Sequence, residues 1–598
     1  MKYLRLFCWI TLGACLPKQT PVEAVVTESL NAEAVAGVSD PRLRQLLSDH
    51  WEATLAGDPI WATQLGDHRY DDRLPDVGRL SREQWTESVR SWSKRAGVIR
   101  LSPLNADDRM TLEIFQAQLD ASLAEEVCRF PEFNFSATNN PVASLNYIGD
   151  LQTPKTVEEG NRLVARMSAG PAYVRQHIDN LRLGVMANRV GNAASTGRTI
   201  EMVETQLGQP IEEWPMASLL KAPESFSATE AEEYTIQMRG AIEALKPAFE
   251  EYRNFLRDEV LPIARPDDKA GLSGLPDGDA CYRAAILRHT SLPKTPDELH
   301  ATGLRELERI HAEMLELGAK TLGTSDLPSL FQRLREDKAL YYTDAEGIET
   351  KAAATLARAK ATIPAWFGRL PQTDCIVSRI PDYEAPYTYI AYYRPPHPDG
   401  TKPGEYCVNT YAPDTRARYD AEVLAFHESI PGHHLQIAIS QELADTPAFR
   451  KNLDATVYVE GWALYTESLA DEMGMYSGDL DRLGMLSFDA WRASRLVVDT
   501  GLHSKGWSRA QAEQFMLENT PLAPNNIHNE VDRYILWPGQ ALGYKTGQLE
   551  IKRLRREAES ALGAGFDVRR FHDVVLESGP VTIPVLERRV REWVARGG

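Results

Sequence analysis

At 598 residues the chain is well past the length at which one hydrophobic core stops growing, so a body of more than one lobe is expected. Hydrophobic residues at 43% and charged residues at 25% are ordinary for a globular protein and exclude a mostly disordered one. A net charge of −19 excludes the basic surface that nucleic acid or an anionic membrane face selects, so no nucleic-acid partner is expected.

Residues 1–14 read as an export segment. Lys2 and Arg5 supply a basic start, an apolar run follows from Leu6, and the run is too short to span a bilayer. The ending Leu12-Gly13-Ala14-Cys15 resembles a lipoprotein lipobox, which implies that Cys15 is lipidated and anchors the mature chain to a membrane. An ordinary cleaved signal peptide is the alternative, and both readings export the protein. Leu16, where an Asp would retain the protein, points by the same resemblance to the outer membrane, facing the periplasm. Residues 15–39, polar and small, read as a flexible tether. No later stretch is long and apolar enough to be a transmembrane helix.

From Asp40 to residue 598 the pattern is mainly helical. Capping-box starts recur at Ser81 with Gln84, Thr229 with Glu232, Thr295 with Glu298, Thr343 with Glu346 and Ser508 with Gln511. Cys128, Cys281, Cys375 and Cys407 are too scattered for a zinc knuckle, but an exported protein can hold a bridge. Cys375 with Cys407 is the expected pair, because both flank one probable β segment. Tyr383, Tyr387, Tyr389, Tyr392, Tyr393 and Tyr406, between turns rich in Pro and Gly, predict a small sheet there.

Asp414 and Asp420 offer N-caps for a short helix that carries Phe426-His427-Glu428-Ser429-Ile430-Pro431-Gly432-His433-His434. This is close to the H-E-x-x-H signature of zinc hydrolases, where two His bind the metal and the Glu is a general base toward water. The spacing departs from it. On an unbroken helix His434 would lie about 10.5 Å from His427 along the axis and His433 would face away, so neither could share a metal with it. Pro431 and Gly432 force a kink, and reading them as an insertion brings His433 into the second-ligand position. The bland reading is a buried His pair at a kinked helix. Downstream, Glu460 and Glu467 are seven apart in an apolar stretch, share a helix face and need partners, which a metal would supply for one of them. Farther on, His503 with Asp499 could form an oxyanion donor, or the histidine could be purely structural.

The stretches HESIPGHHLQ, VEGWALYTE, RLVVDTGLHSKGW and WPGQALGYKTG resemble a bacterial family of unknown function related to the gluzincin metallopeptidases, and more distantly the thimet-oligopeptidase group. The resemblance implies a large two-lobed helical fold around a cleft, with lobes near 40–290 and 291–598. It implies one Zn2+ per chain held by His427, His433 and Glu460, favouring His433 over His434 as the second histidine. It makes Glu428 the general base and Tyr544 an oxyanion donor, with Tyr534 in reserve. It also implies that Glu405–Asn409 is an edge strand, with Tyr406 and Asn409 against a peptide substrate, although a strand that only packs the helix fits the residues as well. The function implied is hydrolysis of peptide bonds, in short peptides. A non-catalytic envelope lipoprotein that binds a peptide or a partner is the alternative, and ester or other amide hydrolysis is a third reading.

Overall fold

A computed structural model of the chain describes residues 32–382, 385, 389–396 and 402–598. The export segment with Cys15, the tether as far as residue 31, and Tyr383 and Tyr387 lie outside the described residues. The fold is mainly helical, with one small sheet ahead of the histidine helix. Among the described residues no helix is long and apolar enough to cross a membrane.

The first helices, α1 (Pro41–Gly57), α2 (Arg79–Gly97) and α3 (Ala106–Glu125), carry regularly spaced apolar residues such as Leu43, Leu46, Leu47 and Trp51. These bury against Phe426, Trp462, Ile551 and Leu586 from the other end of the chain. The expected tether ends early: Ala34, Val35 and Val38 belong to the same core, and the Ser39 and Asp40 amides donate to the Asp108 carboxylate. A second core is built within residues 135–260, where α4 (Gly170–Met186) packs on α5 (Leu245–Phe255) and Trp214 stacks on Phe249. This excursion is therefore a separately packed unit, and a division at residue 290 does not follow the cores, because α1 to α3 share theirs with the histidine helix. Past it come α6 (Gly278–Thr290) and α7 (Pro296–Leu322).

Thr295 and Ser508 form reciprocal capping boxes as expected. Elsewhere the cap falls one or two residues earlier or later: Ser227 with Glu230 forms the box, and Asp344 accepts from the Gly347 amide. Ser81 lies inside α2, which starts after Gly78.

The sheet has the order β1 (Cys375–Arg379), β3 (Gly404–Val408), β2 (Ala391–Arg394), with β1 parallel and β2 antiparallel to β3. The strand expected at the edge is thus the central one, and both its ladders are taken. Register also corrects the disulfide. Cys375 faces Gly404 while Cys407 faces Ser378, so the two thiols are offset along the strands and stay reduced and buried. The bridge joins Cys128 to Cys281, 153 residues apart in sequence. It ties the turn after α3 to α6.

Closing so long a loop predicts that Cys128→Ser lowers the unfolding free energy by about 4–5 kcal/mol. Denaturant unfolding with and without reductant checks this, and an unchanged midpoint would argue against the bridge.

Candidate metal centre

The histidine helix, α8 (Ala421–Glu428), stops just after His427 and Glu428. Ser429 leaves helical geometry at φ −107° and ψ −110°, and its hydroxyl donates to the Ala425 carbonyl at 2.6 Å. Pro431 has no amide to continue the ladder. Gly432 lets the chain cross the end of α8: a Cβ there would stand 2.0 Å from the His427 carbonyl oxygen. A new helix, α9 (His433–Gln441), begins at once. The expected kink is a full break between two helices, and it sets the His427 and His433 rings 4.8 Å apart and nearly perpendicular, at 86°.

The third element is α10 (Thr456–Glu472), anchored to the break by the Trp462 indole N–H, which donates to the Pro431 carbonyl at 3.1 Å. Its two acids meet the same imidazole. Glu467 Oε1 lies 2.7 Å from His427 Nδ1, and Glu460 Oε2 lies 3.5 Å from His427 Nε2 and 3.5 Å from His433 Nε2. Burial disfavours charge on both His427 and Glu460, but their attraction outweighs it. His427 is raised to about 9 by Glu460 and Glu467, and Glu460 is held well below the usual carboxylate range by the two imidazoles.

These donors fit a small divalent cation. Bonds of about 2.0–2.2 Å at tetrahedral angles space neighbouring ligand atoms about 3.3–3.6 Å apart. The ligand atoms of His427, His433 and Glu460 all lie within 4.8 Å of one another. Glu460 Oε2 and His433 Nδ1 are buried with no hydrogen-bond partner among the described residues. A buried carboxylate oxygen left this way, facing one nitrogen of each of two imidazoles, is costly unless something is bound beside it.

Glu428 ends α8 half-buried, and its charge reaches both His427 and the Tyr406 hydroxyl. Tyr544 starts a helix, α13 (Leu542–Leu562), which touches α10 backbone to backbone where Gly547 meets Gly461, the residue after Glu460. The Tyr544 hydroxyl accepts from Arg533 at 3.0 Å, and the Arg495 guanidinium lies 4.2 Å from its ring centre.

The other candidates are buried or engaged elsewhere. His434 faces away from the centre: its Nδ1 lies 3.0 Å from the Tyr393 hydroxyl and its Nε2 3.1 Å from the Thr373 carbonyl, which removes it as a ligand. His503 closes a long helix, α11 (Asp479–His503). Its Nδ1 accepts from the Leu272 amide at 3.0 Å and its Nε2 donates to the Tyr534 carbonyl at 2.9 Å, so neither nitrogen can serve an oxyanion. Asp499 does not orient it, because that carboxylate accepts from the Tyr282 hydroxyl and the Gly539 amide. Tyr534, on α12 (Pro524–Leu536), is buried with its hydroxyl accepting from Trp491 and Arg495. Of the strand residues expected to meet substrate, Tyr406 is only 2% exposed and Asn409 donates to the carbonyls of Ala385 and Tyr389. Sequence reasoning gave no partner to Glu467; the seven-residue spacing from Glu460 was the signal that both face one group.

A family model described as "Bacterial protein of unknown function (DUF885)" matches residues 59–590. Among solved structures, the "putative lipoprotein" from Colwellia psychrerythraea has 26% identity and a TM-score of 0.84, over 93% of this chain and 99% of that one. A second "putative lipoprotein of unknown function", from Shewanella oneidensis, has 17% identity and a TM-score of 0.72 over 92% of this chain and 98% of that one, a likeness of fold. No curated protein matches the chain.

In metal-free protein, an NMR titration of His427 should show a midpoint near 9. Because this lies above the ordinary 6.5, the charged imidazole stabilises the fold fully below pH 6.5, and the contribution is lost as pH rises through 9. Glu467→Gln should lower the midpoint; an unmoved midpoint would contradict the Glu467 contact.

Proposed function

We propose that this chain, which belongs to the DUF885 family of bacterial proteins of unknown function, is a zinc-dependent hydrolase of peptide bonds, related to the gluzincins. The observation that carries this reading is Glu460 Oε2, a buried oxygen without a hydrogen bond, 3.5 Å from one nitrogen of each of two imidazoles. A zinc ion held by His427, His433 and Glu460 would supply Lewis-acid polarisation of the substrate carbonyl and make water a better nucleophile at neutral pH.

The rest belongs to the chain. Glu467 orients His427 by accepting from Nδ1, which leaves Nε2 as the ligand nitrogen. Glu428, beside His427 and outside the ligand set, takes a proton from the attacking water and returns it to the leaving amine. Tyr544 is the remaining candidate to donate to the oxyanion, its hydroxyl polarised by Arg533. By the resemblance to large helical peptidases, the metal ligands are read as lying in a cleft that admits short peptides.

The setting is the cell envelope, with the chain anchored through Cys15 to the outer membrane and facing the periplasm. The Cys128–Cys281 bridge supports export, since disulfides persist in oxidising compartments. The description of the Colwellia psychrerythraea relative as a "putative lipoprotein" supports the anchor.

Purified protein beginning after Cys15 should hold about one zinc per chain by elemental analysis, and His433→Ala should lose it. Glu428→Gln should keep the zinc while hydrolysis of a peptide panel falls by about 10²-fold or more. Wild-type protein that takes up no zinc would overturn the reading in favour of a lipoprotein that only binds.

A further inference from the structure

A cavity of about 760 Å3 lies apart from the metal ligands, at the seam between the two cores. One wall comes from α1 to α3 and the helix Pro59–Gln64, the other from α4, α5 and the segment around Phe135. Its size suits a small organic ligand. Trp61, Trp85, Phe130 and Phe135 give it aromatic surface.

Three residues that line it each carry a buried polar atom with no hydrogen-bond partner among the described residues: Tyr252 Oη, His177 Nε2 and Arg82 Nε. Tyr252 is itself 0% exposed. Burial lowers the His177 imidazole to about 4, so at neutral pH it is uncharged and can present an N–H. All three can donate, and an acceptor suits them, a carboxylate best because of the guanidinium charge. The same cavity holds acids as well. Glu125 and Glu126, at the end of α3, line it without a hydrogen bond among the described residues, and burial pushes the Glu125 carboxyl up. A ligand ammonium would offset that burial.

The wall carrying these acids is fixed in place. Cys128 next to them is bonded to Cys281, and Arg129 holds a left-handed φ of 52°.

A cavity with donors for an anion, carboxylates for a cation and aromatic surface between them matches one ligand chemistry. We propose that it binds a zwitterionic α-amino acid or dipeptide bearing an aromatic side chain, with the carboxylate on Arg82, His177 and Tyr252 and the ammonium on Glu125 and Glu126. The site is separate from the metal centre, so the proposal stands whether or not the chain hydrolyses peptides.

Calorimetric titration of the full chain carrying Glu428→Gln, which prevents cleavage of the probe, tests it with L-phenylalanine and L-phenylalanyl-L-phenylalanine. Saturable binding of either is expected, and the tighter of the two identifies the source. L-Phenylalaninamide, lacking the carboxylate, and N-acetyl-L-phenylalanine, lacking the ammonium, should each bind about tenfold or more weakly than the parent. Arg82→Met should erase the preference for acid over amide while the melting temperature and zinc content hold. No saturable binding of either zwitterion at millimolar concentration, or equal binding of acid and amide, would overturn the proposal.

Discussion

Two carboxylates buried on one face of a helix cannot both stay charged without partners, and α10 places Glu460 and Glu467 two turns apart in that position. One imidazole answers both: His427 turns Nδ1 to Glu467 at 2.7 Å and Nε2 to Glu460 at 3.5 Å. That division fixes the ring's orientation and leaves Glu460 short of a full complement of partners. The chain break then matters for a physical reason. If α8 ran on through Pro431, His433 would point away; by ending at Glu428 and restarting at His433, the chain brings a second Nε2 to the same oxygen. Arg492, on α11, approaches Glu467 at 3.7 Å.

Such a face is useful only if α10 cannot slide. Its contact with α13 is made by backbones, since a Cβ on Gly547 would stand 1.9 Å from the Val457 carbonyl oxygen. No side chain separates the helices there, so their spacing is set by hard contact. Gln548 of α13 donates to the Leu464 carbonyl, and Lys545 pairs with Asp489 of α11 at 2.6 Å, tying three helices together around the acids. His503 does comparable work farther off, clamping the end of α11 to the Leu272 amide and to α12.

The parts of the site legible in the sequence were those in which a local rule is broken. A histidine pair interrupted by Pro-Gly cannot lie on one helix, so the break at residues 429–432 follows from residue chemistry, and the grouping of His427 with His433 follows from the break. Glu460 needed the resemblance as well as its spacing from Glu467. What failed depended on pairing between distant segments. His503 beside Asp499 looks like a donor and its orienter, but the partners of each, Leu272 and Gly539, lie far off in sequence. Strand order is equally invisible: Glu405–Asn409 has the composition of a strand at either position in a sheet. The helices were legible from periodicity, and their starts only to within a residue or two, since Asp344 caps as well as the neighbouring Thr343 would have.

The excursion that builds the second core shows how a chain of this length keeps two cores in register. Residues 135–260 leave the first core after α3 and return before α6, and the disulfide joins Cys128 to Cys281 on either side of that departure and return. The bridge therefore closes the whole second core into a loop pinched at its neck. His427, His433, Glu460 and Glu467 all lie outside this loop, on helices that pack into the first core. Fixing the seam between the cores and fixing the metal ligands are thus separate tasks, met by a covalent tie at one place and by backbone contact between helices at the other.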